Sequence, residues 1–311
     1  MSKTFGTLSP WFRLLRLPNL LTVPGDPVAG FLLASAGATP PPQPLALAAA
    51  AGAALCLYLF GLILNDLMDL ETDQRERPER PLPAGEITVP QARMAAIAMA
   101  LSGLNLALAA GRPALFVAAA LAALIVAYDA ALKRVRVAGL VAMGLCRGLS
   151  LLLGAVAARP DLFTHADMNS APIWVAAAGL TLYVIGFSAV AKREMDAEKP
   201  LGLTRWLPFA ALLPALLGVL CVVTAQRRLE GLIPTVYVFL MVMTLMRAWL
   251  LGGMLYRVQP VPATVGGHIR NLLMVQGCFC LAAGSQGLLP AMLFVLLSFV
   301  FVRLAKRFYS S

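Results

Sequence analysis

Asn65, Asp66, Asp69 and Asp73 form one constellation, an amide followed by three carboxylates at i, i+3 and i+7. Each helical residue turns the chain by about 100°, so on a continuing helix these aspartates project within about 60° of one another. Crowded carboxylates repel unless cations neutralise them. Their hard oxygens suit Mg²⁺, which takes one or two protein carboxylates and completes its octahedron with water and phosphate oxygens. Asp66, Asp69 and Asp73 are therefore the predicted metal ligands, with Asn65 supplying an amide. The plainer reading is a solvated acidic helix end interleaved with Arg75, Arg77 and Arg80. An asparagine and three register-matched aspartates beginning inside an apolar run argue against it. Arg80-Pro81-Leu82-Pro83-Ala84-Gly85 reads as a rigid turn, with proline fixing φ and glycine permitting positive φ.

Two further polar loops stand where they could serve the same site. Tyr128, Lys133 and Arg134 close an apolar segment, and lysine and arginine are the usual partners of phosphate oxygens. Basic residues after a membrane helix also satisfy the orientation rule on their own. The third loop holds Lys192, Arg193, Glu194, Asp196, Glu198 and Lys199, a mixed-charge pattern that is ordinary at a helix end. Arg147 lies inside an apolar segment, and a charge there defaults to a cavity role. Gly144 and Gly148 beside it give the small-residue spacing that lets helices approach closely. Arg16, Asn19 and Asp26 are weaker candidates of the same kind, and Arg247 can snorkel.

The elements that must position these groups are membrane helices. The chain of 311 residues is 60% hydrophobic and 13% charged, with a mean hydropathy of +0.80. This is far more apolar than a soluble domain. A hydrocarbon layer about 30 Å thick needs about 20 apolar residues per helix. About nine such segments are predicted, near 19–38, 45–66, 92–111, 113–131, 138–157, 172–191, 206–225, 231–251 and 270–304. The last exceeds one span and is interrupted at Gly284-Ser285-Gln286-Gly287, so one long helix and a pair both stay open. The expected fold is all-α, a single polytopic bundle over residues 1–311.

Pro24-Gly25-Asp26-Pro27 interrupts the first apolar segment, which argues against a cleaved signal peptide. Loops holding Arg13, Arg16, Arg75, Arg77, Arg80, Lys133, Arg134, Arg136, Lys192 and Arg193 fall on one side, and Arg112, Arg159, Arg227 and Arg228 on the other. This excess places the polar loops in the cytoplasm, most simply at a bacterial inner membrane. The net charge of +10 is spread through inter-helix loops, which argues against nucleic acid as a partner. Five cysteines in apolar stretches without zinc-ligand spacing, and only two histidines, argue against a zinc or histidine metal centre.

Asn65-Asp66-x-x-Asp69-x-x-x-Asp73 resembles the first aspartate-rich motif of the UbiA superfamily of intramembrane prenyltransferases, and the likeness extends over nearly the whole chain. Tyr128 and Lys133-Arg134 are similar to the family's tyrosine-lysine element, with one extra residue between Tyr and Lys. Arg75–Pro83 and Met143–Leu149 look most like the EboC-type branch. The resemblance implies a nine-helix bundle around a central cavity, Mg²⁺ as cofactor, and a prenyl diphosphate and an unidentified acceptor as partners, with membrane lipids around the bundle. It makes Asp66, Asp69, Asp73, Lys133 and Asp196 catalytic, with the four aspartates as metal ligands. It gives substrate binding to Asn65, Arg75, Arg77, Tyr128, Arg134, Arg147, Arg16, Asn19, Lys192, Glu194 and Glu198. The family's second motif has aspartates at i, i+3 and i+7, where this chain has Arg193, Asp196 and Pro200. That departure keeps open a non-catalytic bundle that binds or transports a prenylated lipid. The dense Asp-Gly-Ala-Arg signature of CDP-alcohol transferases is absent, and a soluble isoprenyl diphosphate synthase would need charged outer helix faces.

Overall fold

The computed structural model describes residues 10–36, 38, 42–165, 167–193, 202–254 and 261–309. Helices alone build it: α1 (Pro10–Leu14), α2 (Leu17–Leu20), α3 (Gly25–Ser35), α4 (Pro44–Met68), α5 (Leu70–Glu76), α6 (Val89–Ala110), α7 (Arg112–Ala130), α8 (Arg136–Ala158), α9 (Ala171–Arg193), α10 (Leu207–Ala225), α11 (Ile233–Met254), α12 (Val261–Leu281) and α13 (Leu288–Tyr309). Among the described residues, seven helices are long and apolar enough to cross a membrane. The protein is thus a multi-pass helical bundle, with many large apolar side chains facing outward, including Phe116, Phe239, Leu289 and Phe299. In water that surface would be a liability, whereas lipid solvates it.

Two segments depart from the predicted spans. The first apolar segment is not one helix over 19–38. It breaks into α2, a turn, and the short α3, because Pro24 and Pro27 each lack an N–H and a helix accepts proline only near its start. The final segment resolves into a pair, α12 and α13. Gly284 adopts φ 87 between them, a conformation costly for any other residue.

Short connections make successive long helices antiparallel. The C-terminal ends of α4, α7 and α9 and the N-terminal ends of α6, α8 and α10 therefore share one end of the bundle. The turn after α5 leads into α6 through a reciprocal cap: Gln91 N–H donates to Thr88 Oγ1, and Thr88 N–H donates to Gln91 Oε1 at 3.0 Å. At the opposite end Arg159 bonds both oxygens of Asp167, at 2.9 and 3.1 Å, tying the loop between α8 and α9.

Helix α8 sits centrally, against α3, α4, α7 and α9. Its glycines set the distances. A methyl group at Gly154 would collide with the Pro27 carbonyl of α3, and one at Gly148 with Thr181 of α9. The small residues seen in the sequence at 144 and 148 are thus the α8–α9 seam, as Gly144 lies on the Thr181 carbonyl. This close approach brings Arg147, one position from Gly148, to the inside of the bundle.

Candidate active site

Helix α4 carries Asn65 and Asp66 as its last turn and stops at Asp69, whose φ of −95° and ψ of 6° leave the helical range. Hydrogen bonding nonetheless continues, from Asp69 N–H to the Asn65 carbonyl at 2.9 Å and from Asp73 N–H to the Asp69 carbonyl at 2.8 Å. The predicted uninterrupted helix is therefore bent at its middle aspartate, and the three carboxylates divide among three cations. Asp66 and Asp73, both buried, share Arg80: its Nη1 is 2.6 Å from Asp73 and 3.8 Å from Asp66. Arg16 adds a second contact to Asp66 at 3.4 Å. Asp69 turns instead to Lys133, at 2.7 Å.

Lys133 lies in a 3₁₀ turn, Leu132–Arg134, between α7 and α8. Its ammonium also stands 3.4 Å from Asn65 Oδ1 and 3.5 Å from the buried Asp129. Asn65, Asp66, Asp69, Asp73 and Asp129 thus surround two cationic groups, Arg80 and Lys133, at the end of α4. Arg16 has φ 47, in the left-handed region that disfavours a side chain. A strained residue at the edge of a charged cluster is common at functional sites.

Among the described residues, no three His, Cys, Asp or Glu side chains converge closely enough to hold a metal ion by themselves. The donor chemistry fits Mg²⁺ all the same. Asp66 and Asp73 already place their oxygens around one positive group, and Mg²⁺ commonly takes no more than two carboxylates when phosphate oxygens supply the rest.

Beside this cluster opens a cavity of about 460 Å³. Its mouth includes Arg16, Asn19, Asn65, Tyr128 and Asp129. Apolar lining comes from Leu57 and Leu62 of α4, Leu121 and Ile125 of α7, and Val184 and Phe187 of α9. Thr22, Arg147 and Ser150 line it as polar groups. Arg147 is about three turns into α8, roughly 16 Å from its start. It pairs with the fully buried Asp26 at 2.9 Å and donates to the Thr22 carbonyl at 3.0 Å.

The other basic residues predicted for substrate sit elsewhere. Arg75, Arg77 and Arg134 are exposed and do not line the cavity. Lys192 reaches the Arg136 carbonyl at 3.5 Å, across the α8–α9 end. Glu194, Asp196 and Glu198 lie outside the described residues. Sequence reasoning missed Arg80 as the cation shared by Asp66 and Asp73, and Asp129 and Gln276 as buried polar groups. The signal for Asp129 was present, an acid between Tyr128 and Lys133. Arg80 had none, because only the folded turn after α5 returns it to the aspartates.

The profile described as the UbiA prenyltransferase family matches residues 27–264, and the chain belongs to that family. Its curated relatives include a digeranylgeranylglyceryl phosphate synthase of Methanoculleus marisnigri. That protein is 32% identical over 194 residues, 62% of this chain and 63% of the relative. The match thus spans less than two thirds of that relative's length. The fold is similar to the apo structure of a UbiA homolog from Aeropyrum pernix K1, at a TM-score of 0.65 and 20% identity over 84% of this chain and 96% of that one. It is also similar to a UbiA homolog from Archaeoglobus fulgidus, described as bound to GPP and Mg²⁺, at a TM-score of 0.61 and 16% identity over 95% of this chain and the whole of that one.

Proposed function

We propose that this protein transfers an isoprenoid chain from a prenyl diphosphate to an acceptor, with Mg²⁺, inside the membrane. The observation that carries the reading is the juxtaposition of the Asp66, Asp69 and Asp73 carboxylates, interleaved with Arg80 and Lys133, with the mouth of a largely apolar cavity. The names of the synthase relatives, and the GPP and Mg²⁺ in the Archaeoglobus protein's description, support the same chemistry.

In this reading Asp66 and Asp73 would hold the cation between them, and Asp69 would take part from the other side of the bend. Bound Mg²⁺ would neutralise the diphosphate and make it a better leaving group. Lys133, Arg80 and Arg16 turn towards its remaining oxygens, so that charge building on the departing diphosphate meets fixed donors. Asn65 and Tyr128 orient it at the mouth. The apolar lining from α4, α7 and α9 takes the hydrocarbon and keeps water from the reactive carbon. The resemblance assigns Asp196, Glu194, Glu198 and Lys192 to the same diphosphate and metal, while Arg75, Arg77 and Arg134 provide a positive approach. These loops face the cytoplasm, consistent with a bacterial inner membrane. Within the family we place the chain nearest the EboC-type branch, on Arg75–Pro83 and Met143–Leu149.

The second motif's departure at Arg193 and Pro200 favours one other reading, a bundle that binds or carries a prenylated lipid without chemistry. Purified protein given labelled prenyl diphosphate, Mg²⁺ and a membrane extract separates the two. Transfer releases pyrophosphate and Asp66→Ala abolishes the release while the bundle stays folded. A carrier releases none, and near-full activity in Asp66→Ala would overturn the assignment.

A further inference from the structure

Each charged side chain that lines the cavity already faces an opposite charge. Arg16 meets Asp66 at 3.4 Å and Asp129 meets Lys133 at 3.5 Å, both at the mouth, where diphosphate and cation would rearrange them. Arg147 is different. It lies deeper, and its charge is cancelled by Asp26 at 2.9 Å. The pair is held from behind as well, because Gln276 Nε2 is 2.7 Å from both Asp26 Oδ1 and the Thr22 carbonyl, while Arg147 Nη2 donates to that same carbonyl. Asp26 and Gln276 are fully buried. The deep polar wall therefore has no net charge to offer. An anionic group brought there would lose its hydration without gaining an unpaired cation.

What the wall does offer is unused neutral hydrogen-bonding capacity. Ser150 lines the cavity one turn beyond Arg147 on the same face of α8. Its hydroxyl is buried without a hydrogen-bond partner. Buried polar atoms of this kind cost free energy unless something pairs with them. Most of the remaining lining is apolar and already suits the isoprenoid.

We propose that Arg147 and Ser150, with Thr22 and Asn19, form the acceptor subsite, and that it takes an uncharged acceptor bearing hydroxyl groups rather than a phosphate or carboxylate. The proposal rests on the transferase reading above and sets this chain apart from relatives whose names denote a phosphate-bearing product. The acceptor hydroxyl oxygen forms a bond to the first carbon of the isoprenoid as that carbon's bond to diphosphate breaks. The electron pair leaves on the diphosphate, which takes up the hydroxyl proton, and the product is an ether.

A membrane extract passed over an anion-exchange resin gives an uncharged fraction and an anionic fraction. Each is incubated with purified protein, Mg²⁺ and labelled prenyl diphosphate. In parallel, calorimetry measures Mg²⁺-dependent binding of a non-cleavable prenyl thiolodiphosphate. The expected result is such binding together with an acid-stable labelled product from the uncharged fraction. Ser150→Ala, which leaves the Arg147–Asp26 pair in place, should raise the KM for the uncharged fraction about fivefold, the equivalent of one hydrogen bond, and leave thiolodiphosphate affinity unchanged. Binding with product from the anionic fraction alone, or from neither, overturns the acceptor proposal and leaves the donor site standing. Absence of Mg²⁺-dependent binding overturns the transferase reading and this proposal with it. An unchanged KM in Ser150→Ala removes Ser150 from the subsite.

Discussion

Lys133 has three oxygen-bearing partners, Asp69, Asn65 and Asp129, from two helices and the bend between α4 and α5. A point charge with three donors can release one partner for a phosphate oxygen and keep the others, which a fixed guanidinium fork does less readily. Lys133→Met keeps much of the stem and removes the charge. It should lower kcat by about 10²- to 10³-fold, as loss of one fixed electrostatic donor does elsewhere. Pyrophosphate release under saturating prenyl diphosphate measures it, with thermal melting alongside to show that the variant folds. The acids and this lysine were legible in the sequence, since charge inside or just after an apolar run is too costly to be idle. The exposed Arg75, Arg77 and Arg134 carried the same residue type in the same loops. Spacing could not separate them from Arg80, because which arginine faces inward depends on the turn from Pro81 to Gly85, where the Pro81 carbonyl accepts from the N–H groups of both Glu86 and Ile87.

At the scale of elements, α8 does most of the positioning. Gly154 lets α3 lie against it at the level of Pro27, and this contact sets where Asp26 meets Arg147. Gly154→Val would force the two backbones apart. The expected cost is about 2 kcal/mol or more, since overpacking a tight seam typically costs about 1–3 kcal/mol. Thermal melting in detergent measures it, and an unchanged melting temperature would mean that the α3–α8 seam does not bear on stability. Helix existence and approximate limits were legible for most spans because hydropathy is a local property. Two outcomes were not. The bend at Asp69 carries no glycine or proline, and α12 begins at Val261, well before the predicted 270, because Pro262, Thr264, Gly266, Gly267 and His268 lower the hydropathy of its first turns. Burial of His268, Asn271 and Gln276 shows that these groups face the bundle and not lipid.

For the whole molecule, the site joins α2, the bend after α4, the end of α7 and the wall of α8, elements far apart in the chain. A ligand that bridges them should stabilise the bundle as a unit. Prenyl thiolodiphosphate with Mg²⁺ at about 100 times its Kd should add about 2.7 kcal/mol of stability by mass action. The measured rise in melting temperature should vanish when EDTA removes the metal. A rise that survives EDTA would show that the diphosphate binds through Arg16, Arg80 and Lys133 alone. The sequence by itself determined that this is a membrane bundle with an acidic segment at a helix end, because apolar run length and the cost of charge in lipid act locally along the chain. Only the tertiary structure decided which cation each aspartate faces, that Arg147 is neutralised by Asp26, and which walls of the cavity are polar. Those pairings join residues such as 26, 147 and 276, and such contacts are fixed by how closely helices pack, which no local pattern encodes.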